Sequence, residues 1–404
     1  MTRTNKGFIS LCISLLTLVL IFNGCEDPGS VGNNFIEEPV VVYDTLSLDN
    51  VTSENYSGYS GNFGFTAIGS YSDQTFGDIE AMSLMKPIRE PSIPDSLGID
   101  GNNFSFKLEL QLDSTNTYGD TLSVSEFSIY EVTSLWRGNS HRIDTDVTYD
   151  NTTEIGSFTI GQEKNIIVNL DDAWKDKYAT YLNNEDANAD SLYRYEFLGL
   201  VIVPTGNTNK ISFPRNDSRF LILTEDQSDT VAVSLSSFAY NLDRSNVNQS
   251  PTNTSLHSTI EELMKINFPL AQIRENHQSS NILRADLVLY EDTNTLSSSL
   301  PVNHSRPNVN FVSLSFGVSS DEVYEYQIRQ PNFTGSRVSD GPYFKADITT
   351  YLNNILYGQE ERDEMVIGIG SNSGIIRSTL LHNESASTEL RPKLIITSIV
   401  NEDN

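Results

Sequence analysis

The chain has 404 residues, 38% hydrophobic and 20% charged, a balance that excludes disordered, collagen-like and disulfide-stapled classes. Fifty-four acids against 26 bases give a formal charge of −28, a field that repels nucleic-acid phosphates and anionic membrane surfaces and excludes a nucleic-acid binder. Both cysteines fall within the first 25 residues, so the body has no thiols for a disulfide framework, an iron–sulfur cluster or a thiolate zinc site.

Arg3 and Lys6 precede an apolar run over residues 8–22, and Asn23 and Gly24 lead from it into Cys25. Its fifteen residues rise about 22 Å at ~1.5 Å each, short of the ~30 Å hydrocarbon core, so residues 1–24 read as an export leader. Phe22-Asn23-Gly24-Cys25 resembles the bacterial lipobox, with Phe22 where Leu is usual. That resemblance implies cleavage before Cys25 and acylation of its thiol. Acyl carbons buried at ~0.8 kcal/mol each hold such an anchor in a bilayer without a basic surface. Residues 25–43, with Pro28, Gly29 and Gly32 and no apolar period, read as a tether carrying the lipidated Cys25.

Beyond residue 43, period-two alternation dominates. Phe104, Phe106, Leu108, Leu110 and Leu112 alternate with Ser105, Lys107, Glu109 and Gln111, as half-buried strands require. Ile166, Val168 and Leu170 follow the same rule, as do Val231, Val233 and Leu235, and Val312, Leu314 and Phe316. Turn signals separate the runs without a βαβ rhythm, which predicts antiparallel sandwiches or jelly rolls.

Landmarks also recur in order at an offset of about 170–185 residues, a sign of duplication. Asp44-Thr45-Leu46-Ser47-Leu48 answers Asp229-Thr230-Val231-Ala232-Val233, and the strand at 106–112 answers 285–290. Trp174, Tyr178, Tyr181 and Leu182 give a helical stripe that Ile348, Leu352, Ile355 and Leu356 repeat. Apolar strands at 197–203 and 365–369 and closing strands at 220–224 and 394–397 complete the copies. The expected fold is all-β with minor α. It comprises two tandem antiparallel β-sandwich or jelly-roll domains, 44–228 and 229–400, each with one short amphipathic helix. Ser258 and Glu261 have capping-box spacing, and Ile260, Leu263 and Met264 supply an apolar side, which predicts a further helix over 258–266 covering the open edge or mouth of the second domain.

Chemistry-bearing constellations are sparse. Five histidines stand singly, with no H-E-x-x-H pattern, and Gly370-Ser371-Asn372-Ser373-Gly374 puts Asn where a serine hydrolase needs its nucleophile. Asp171-Asp172 reads as a helix N-cap with a carboxylate favoured by the helix dipole. Asp186, Asn188 and Asp190 mimic the first oxygens of a calcium loop, the one candidate for a structural cation, but Ser191 and Phe197 stand where Gly and Glu close such loops. Trp136, Tyr149, Tyr56 and Tyr59 are the candidate stacking rings for a sugar, set against the ordinary use of aromatics as strand core.

Cys25-Glu26-Asp27-Pro28-Gly29, Tyr71-Ser72-Asp73-Gln74-Thr75-Phe76-Gly77, Asn169-Leu170-Asp171-Asp172, Phe197-Leu198-Gly199-Leu200 and the strand at 285–289 carry a resemblance. Together they look like an uncharacterised surface-lipoprotein family of Bacteroidota defined by a domain of unknown function. Arg391-Pro392-Lys393-Leu394-Ile395-Ile396 is similar to the closing strand of DNRLRE-type jelly-roll modules, some of which bind carbohydrate. The resemblance implies a lipid-anchored, non-catalytic outer-membrane protein, expected at the cell surface or otherwise on the periplasmic leaflet. Its membrane partner is reached through the anchor, and outer-membrane proteins are its expected partners in a binding or assembly role. The competing expectation is a carbohydrate-binding lipoprotein of a polysaccharide-uptake system, with a glycan as ligand.

Overall fold

The computed structural model describes residues 40–89, 93–94, 97–99, 103–182, 186–206, 208–224, 226, 228–248, 250–277, 280–316, 330–370 and 373–400. The leader 1–24, Cys25, tether residues 26–39 and the turn positions Ser371 and Asn372 lie outside these.

In chain order the strands are β1 (Val40–Ser47), β2 (Val51–Asn55), β3 (Ile68–Asp73), β4 (Gly77–Pro87), β5 (Phe104–Gln111), β6 (Tyr118–Asp120), β7 (Ser125–Val132) and β8 (Tyr149–Ile160). They continue with β9 (Asn165–Asn169), β10 (Leu200–Thr205), β11 (Lys210–Ser212), β12 (Arg219–Thr224), β13 (Thr230–Ser245), β14 (Asn253–His257), β15 (Glu262–Asn267) and β16 (Ser280–Tyr290). The last seven are β17 (His304–Ser305), β18 (Phe311–Phe316), β19 (Phe333–Arg337), β20 (Tyr343–Asp347), β21 (Glu364–Gly368), β22 (Ser378–His382) and β23 (Lys393–Val400). The helices among the described residues are α1 (Asp172–Ala179), α2 (Ala189–Glu196), α3 (Leu270–His277), α4 (Thr293–Ser298) and α5 (Thr349–Leu356). The fold is all-β with minor α; α1 and α5 are the two stripe helices, and three short helices join them.

Two jelly rolls emerge from the antiparallel registers. In the first, β13-β12-β5-β9 form one sheet and β4-β10-β7-β8 the other. In the second, β1-β23-β16-β20 face β15-β21-β18-β19. Numbered along the chain from β1, the second roll follows the order 1-8-3-6 over 2-7-4-5, which two nested Greek keys produce, and the first roll matches it once β13, its last strand in the chain, is counted as strand 1. The rolls differ at their first strand. In the first roll it is the long β13, which pairs with β12 and then, past a bulge between Leu235 and Ser237, with β4. In the second roll β1 and β2 share that task, β1 against β23 and β2 against β15.

The division near Asp229 therefore needs correction. Strand β13, on the far side of it, completes the first roll, and β1 and β2, which the sequence assigns to the first domain, complete the second. Leu46, Leu48 and Val51 are buried in the second roll's core, whereas Val231 and Val233 are buried in the first. The two landmark segments are equivalent strands with exchanged owners. A short link from Thr224 to Thr230 folds β13 back on β12 as a hairpin, the contact with the least loop entropy to overcome. The tether also ends earlier than residue 43, because β1 begins at Val40.

The helix expected over 258–266 is instead a turn at Ser258–Thr259 followed by β15. Leu263 packs with Ile260 and Val366 while Met264 and Ile266 face the main core, so both faces of β15 are covered and the period of two is lost. Ser258 Oγ donates to Ile375 O instead of capping a helix, and Glu261 pairs with Arg244.

A stack of rings fills the first core. Phe106 stacks on Tyr178 at 4.7 Å, Phe220 at 5.2 Å and Trp174 at 5.8 Å between centroids, bringing α1 onto β5. Asp171 caps α1 as expected, accepting from the N–H groups of Ala173 and Trp174.

Between the rolls, β4 continues through β3, β11 and β6 to β17, which belongs to the second half of the chain. Polar groups are buried at this joint. Asp73 takes both Nε and Nη2 of Arg306, at 2.6 and 2.7 Å, and the Tyr118 hydroxyl at 3.0 Å. Burial alone would raise the Asp73 carboxyl, but the hydrogen bonds and charge of Arg306 hold it below the usual range. Nearby, Arg244 grips Glu261 at 2.7 and 3.0 Å, and His257 lies edge-on to Phe76.

Candidate functional site: a cationic cleft beside Trp136

Trp136 lines a cleft of about 740 Å³ on the first roll. Its floor is Lys86 at the end of β4 with Ile88 and Arg89 just after it; α2 contributes Tyr193, Arg194 and Tyr195; the loop after β7 contributes residues 135–140; and the bulge in β13 contributes Ser236 and Ser237. A bulge re-aims its strand at such places. Ser236 Oγ donates to the carbonyls of Lys86 at 3.2 Å and Pro87 at 2.9 Å, locking β13 to the cleft floor.

Trp136 is half-buried. Its Nε1–H donates to Leu198 O at 2.8 Å and its ring meets His141 edge to face at 6.0 Å, so its rotamer is fixed before any ligand arrives. Behind this loop two backbones nearly touch. A Cβ on Gly61 would sit 1.4 Å from Gly138 O, which only glycine permits. Asn62 Nδ2 donates to Asn139 Oδ1, closing that wall.

Lys86 is half-buried, and its ammonium donates to Tyr193 O at 3.1 Å and Arg194 O at 3.2 Å, at the C-terminal end of α2, with the Tyr193 ring centroid 4.6 Å away. Burial, and then the Arg194 guanidinium, pull its pKa down to about 8. Arg89 pairs with Asp190 at 2.7 Å.

Of the candidate stacking rings only Trp136 reaches the cleft. Tyr149 stacks on Tyr130 at 5.6 Å in the β7–β8 pair, and burial, then the charge of Glu80, raises its pKa. Tyr56 and Tyr59 lie beneath the Arg142 guanidinium, 5.6 and 4.8 Å from their centroids. Those three rings therefore form no platform with Trp136, because strand pairing and the cation each claim a face.

The three residues of the calcium-loop reading lie at the start of α2 and just before it. Asn188 is the N-cap residue of α2 and Asp190 lies in its first turn, held by Arg89. Asp186 accepts from the Asn188 N–H at 2.9 Å. Among the described residues no group of three or more His, Cys, Asp or Glu is placed to hold a metal. Glu360 is tied to Arg362 at 2.6 Å.

Sequence reading missed Lys86, Arg89 and Arg194. They come from β4, the segment after it and α2, more than 100 residues apart from end to end, and no spacing links them.

No family model matches the chain and no curated protein matches it significantly. Among solved structures, the infectious bursal disease virus VP2 subviral particle aligns over 90% of this chain and 79% of that one at 11% identity. Its TM-score is 0.10, a likeness too slight to carry an argument.

Proposed function

We propose that the chain is a lipid-anchored, non-catalytic binding component of the bacterial cell envelope, held at the outer membrane through Cys25 and presenting the Trp136 cleft to a saccharide. The leader and its resemblance to surface lipoproteins of Bacteroidota support the location. The observation that carries the binding role is the pre-set indole in a large cleft also lined by Asn62, Asn139, Ser236 and Ser237, since flat rings and convergent hydrogen-bonding groups suit pyranose faces and hydroxyls. The fourteen residues 26–39 between anchor and β1 reach at most ~48 Å at ~3.4 Å each, enough to stand the acidic body off the lipid surface.

The test is mass spectrometry and fractionation of protein from its own host. Cys25 should be acylated and the protein should sediment with outer membranes, while Cys25→Ala should leave it unacylated and released. An unacylated thiol in the natural chain, or a soluble natural chain, refutes the anchor. A second reading, assembly with an outer-membrane protein, is favoured by β1. It is the terminal strand of its sheet and exposes Val40, Val41, Val42 and Tyr43, which suits strand addition by a partner.

A further inference from the structure

The cleft reverses the charge of the molecule around it. The chain carries −28, yet the described lining has four cations, Lys86, Arg89, Arg137 and Arg194, against the single carboxylate of Asp190. Asp190 serves Arg89, and its side chain is 81% exposed. Arg137 and Arg194 are exposed and have no carboxylate partner among the described residues. An ammonium has three donors, and Lys86 spends two on carbonyls, which leaves one.

We propose that this cleft binds an acidic saccharide, a pyranose oligomer bearing carboxylate or sulfate groups, with Trp136 against a ring face and Arg137, Arg194 and Lys86 on the acid groups. The inference rests on the saccharide reading of the same cleft. Guanidinium forks match the two oxygens of a carboxylate or sulfate, and charge-assisted hydrogen bonds are roughly twice as strong as neutral ones. A cleft of about 740 Å³ is larger than a lone inorganic anion needs, and Leu135, Trp136 and Tyr195 give it apolar wall that such an ion does not use. Burial first, and then the Arg194 guanidinium, disfavour the charged form of Lys86 in the empty cleft, and an acid group seated beside it would favour that form.

Titration calorimetry on the full lipidated chain in detergent micelles tests the assignment with three tetrasaccharides: a galacturonate (carboxylate), a sulfated galactose oligomer (sulfate) and neutral xylotetraose. At least one acidic ligand should bind tenfold or more tightly than xylotetraose, and whichever binds better names the acid group. Arg137→Ser combined with Arg194→Ser should weaken the acidic ligand tenfold or more with the melting temperature unchanged. Trp136→Ala should weaken it too. Equal binding of acidic and neutral ligands overturns the acidic assignment and leaves the saccharide cleft standing. Inorganic sulfate binding as tightly as the oligomers, indifferent to Trp136→Ala, overturns the saccharide assignment. Silence toward all three overturns both, and Cys25 acylation remains a separate question.

Discussion

The joint between the rolls makes stability depend on pH through His257. This ring is 3% exposed, with Nδ1 2.7 Å from Ser378 Oγ and Phe76 against its edge, and Arg244, Glu261 and Asp73 are the charges around it. Burial, and next the Arg244 guanidinium, lower its pKa to about 3. In the unfolded chain an imidazole titrates near 6.5. A base with a lowered folded pKa favours its neutral form on folding, so its contribution is whole above 6.5 and is lost as pH falls from there toward 3. Taking those two values, linkage gives a loss of about 2 kcal/mol by pH 5. Glu261, held near 2 against burial by Arg244, is ionised in both states through most of that range and adds little to the slope. The assay is urea unfolding of the natural chain and His257→Asn at pH 7.5 and pH 5, together with NMR titration of the imidazole. Asn places a polar group near the lost Nδ1 and removes the titration, so the pH dependence should shrink by about 2 kcal/mol whatever the variant's absolute stability. A His257 resonance titrating near 6.5, or an unchanged pH slope in the variant, refutes the reasoning.

Deleting residues 40–48 removes buried Leu46 and Leu48 from the second core and bares β23 as a new edge. At ~1.5–3 kcal/mol per leucine this costs roughly 3–6 kcal/mol, read as lost urea resistance and as aggregation. By the same topology, a chain stopped at residue 228 lacks β13 and should be insoluble, whereas one stopped at 248 should retain a protease-resistant first roll. Gly61→Ala must push the 58–62 segment off Gly138; a stability loss of ~1–3 kcal/mol is expected, with weaker binding in the cleft by calorimetry. Because Lys86 gives up its proton near pH 8 in the empty cleft, affinity for an acidic tetrasaccharide should fall between pH 7 and 9, and Lys86→Met should flatten that profile.

Much of the fold was legible where one residue's environment repeats at a fixed period. Phe104, Phe106, Leu108 and Leu110 alternate because β5 has one face in the core, and Trp174 and Tyr178 share a face of α1 for the same reason. The duplication was legible too, since equivalent strands carry equivalent patterns. Ownership was not. Nothing in Asp44-Thr45-Leu46-Ser47-Leu48 says whether it will pair with the nearer closing strand, β12, or with β23 almost 350 residues away, because pairing is a property of two strands and the pattern describes only one. The 258–266 segment failed for a related reason: a strand covered on both faces loses its alternation, and Ile260 with Leu263-Met264 then matches the i, i+3, i+4 spacing of a helical stripe. At the cleft, Trp136 was recognisable as a candidate stacking ring. Its cationic partners depend on where β4 and α2 end in space.

The placement of those cations bears on how an anion reaches them. At low salt, ~0.01 M, the screening length is about 30 Å, so an approaching acidic ligand meets the field of the whole molecule, which is −28, and is repelled before it senses the cleft. At ~0.15 M the length shrinks to about 8 Å; distant carboxylates fade while Lys86, Arg137 and Arg194, within contact range of a seated ligand, still act. Association should therefore quicken as salt rises from the low value to the physiological one, and only beyond that should affinity decline as the local contacts are screened. A simple basic patch on a basic protein would instead weaken from the first addition of salt. Stopped-flow association across that range, on the natural chain and on the Arg137→Ser, Arg194→Ser variant, separates the two cases, because the variant keeps the global repulsion and loses the local attraction.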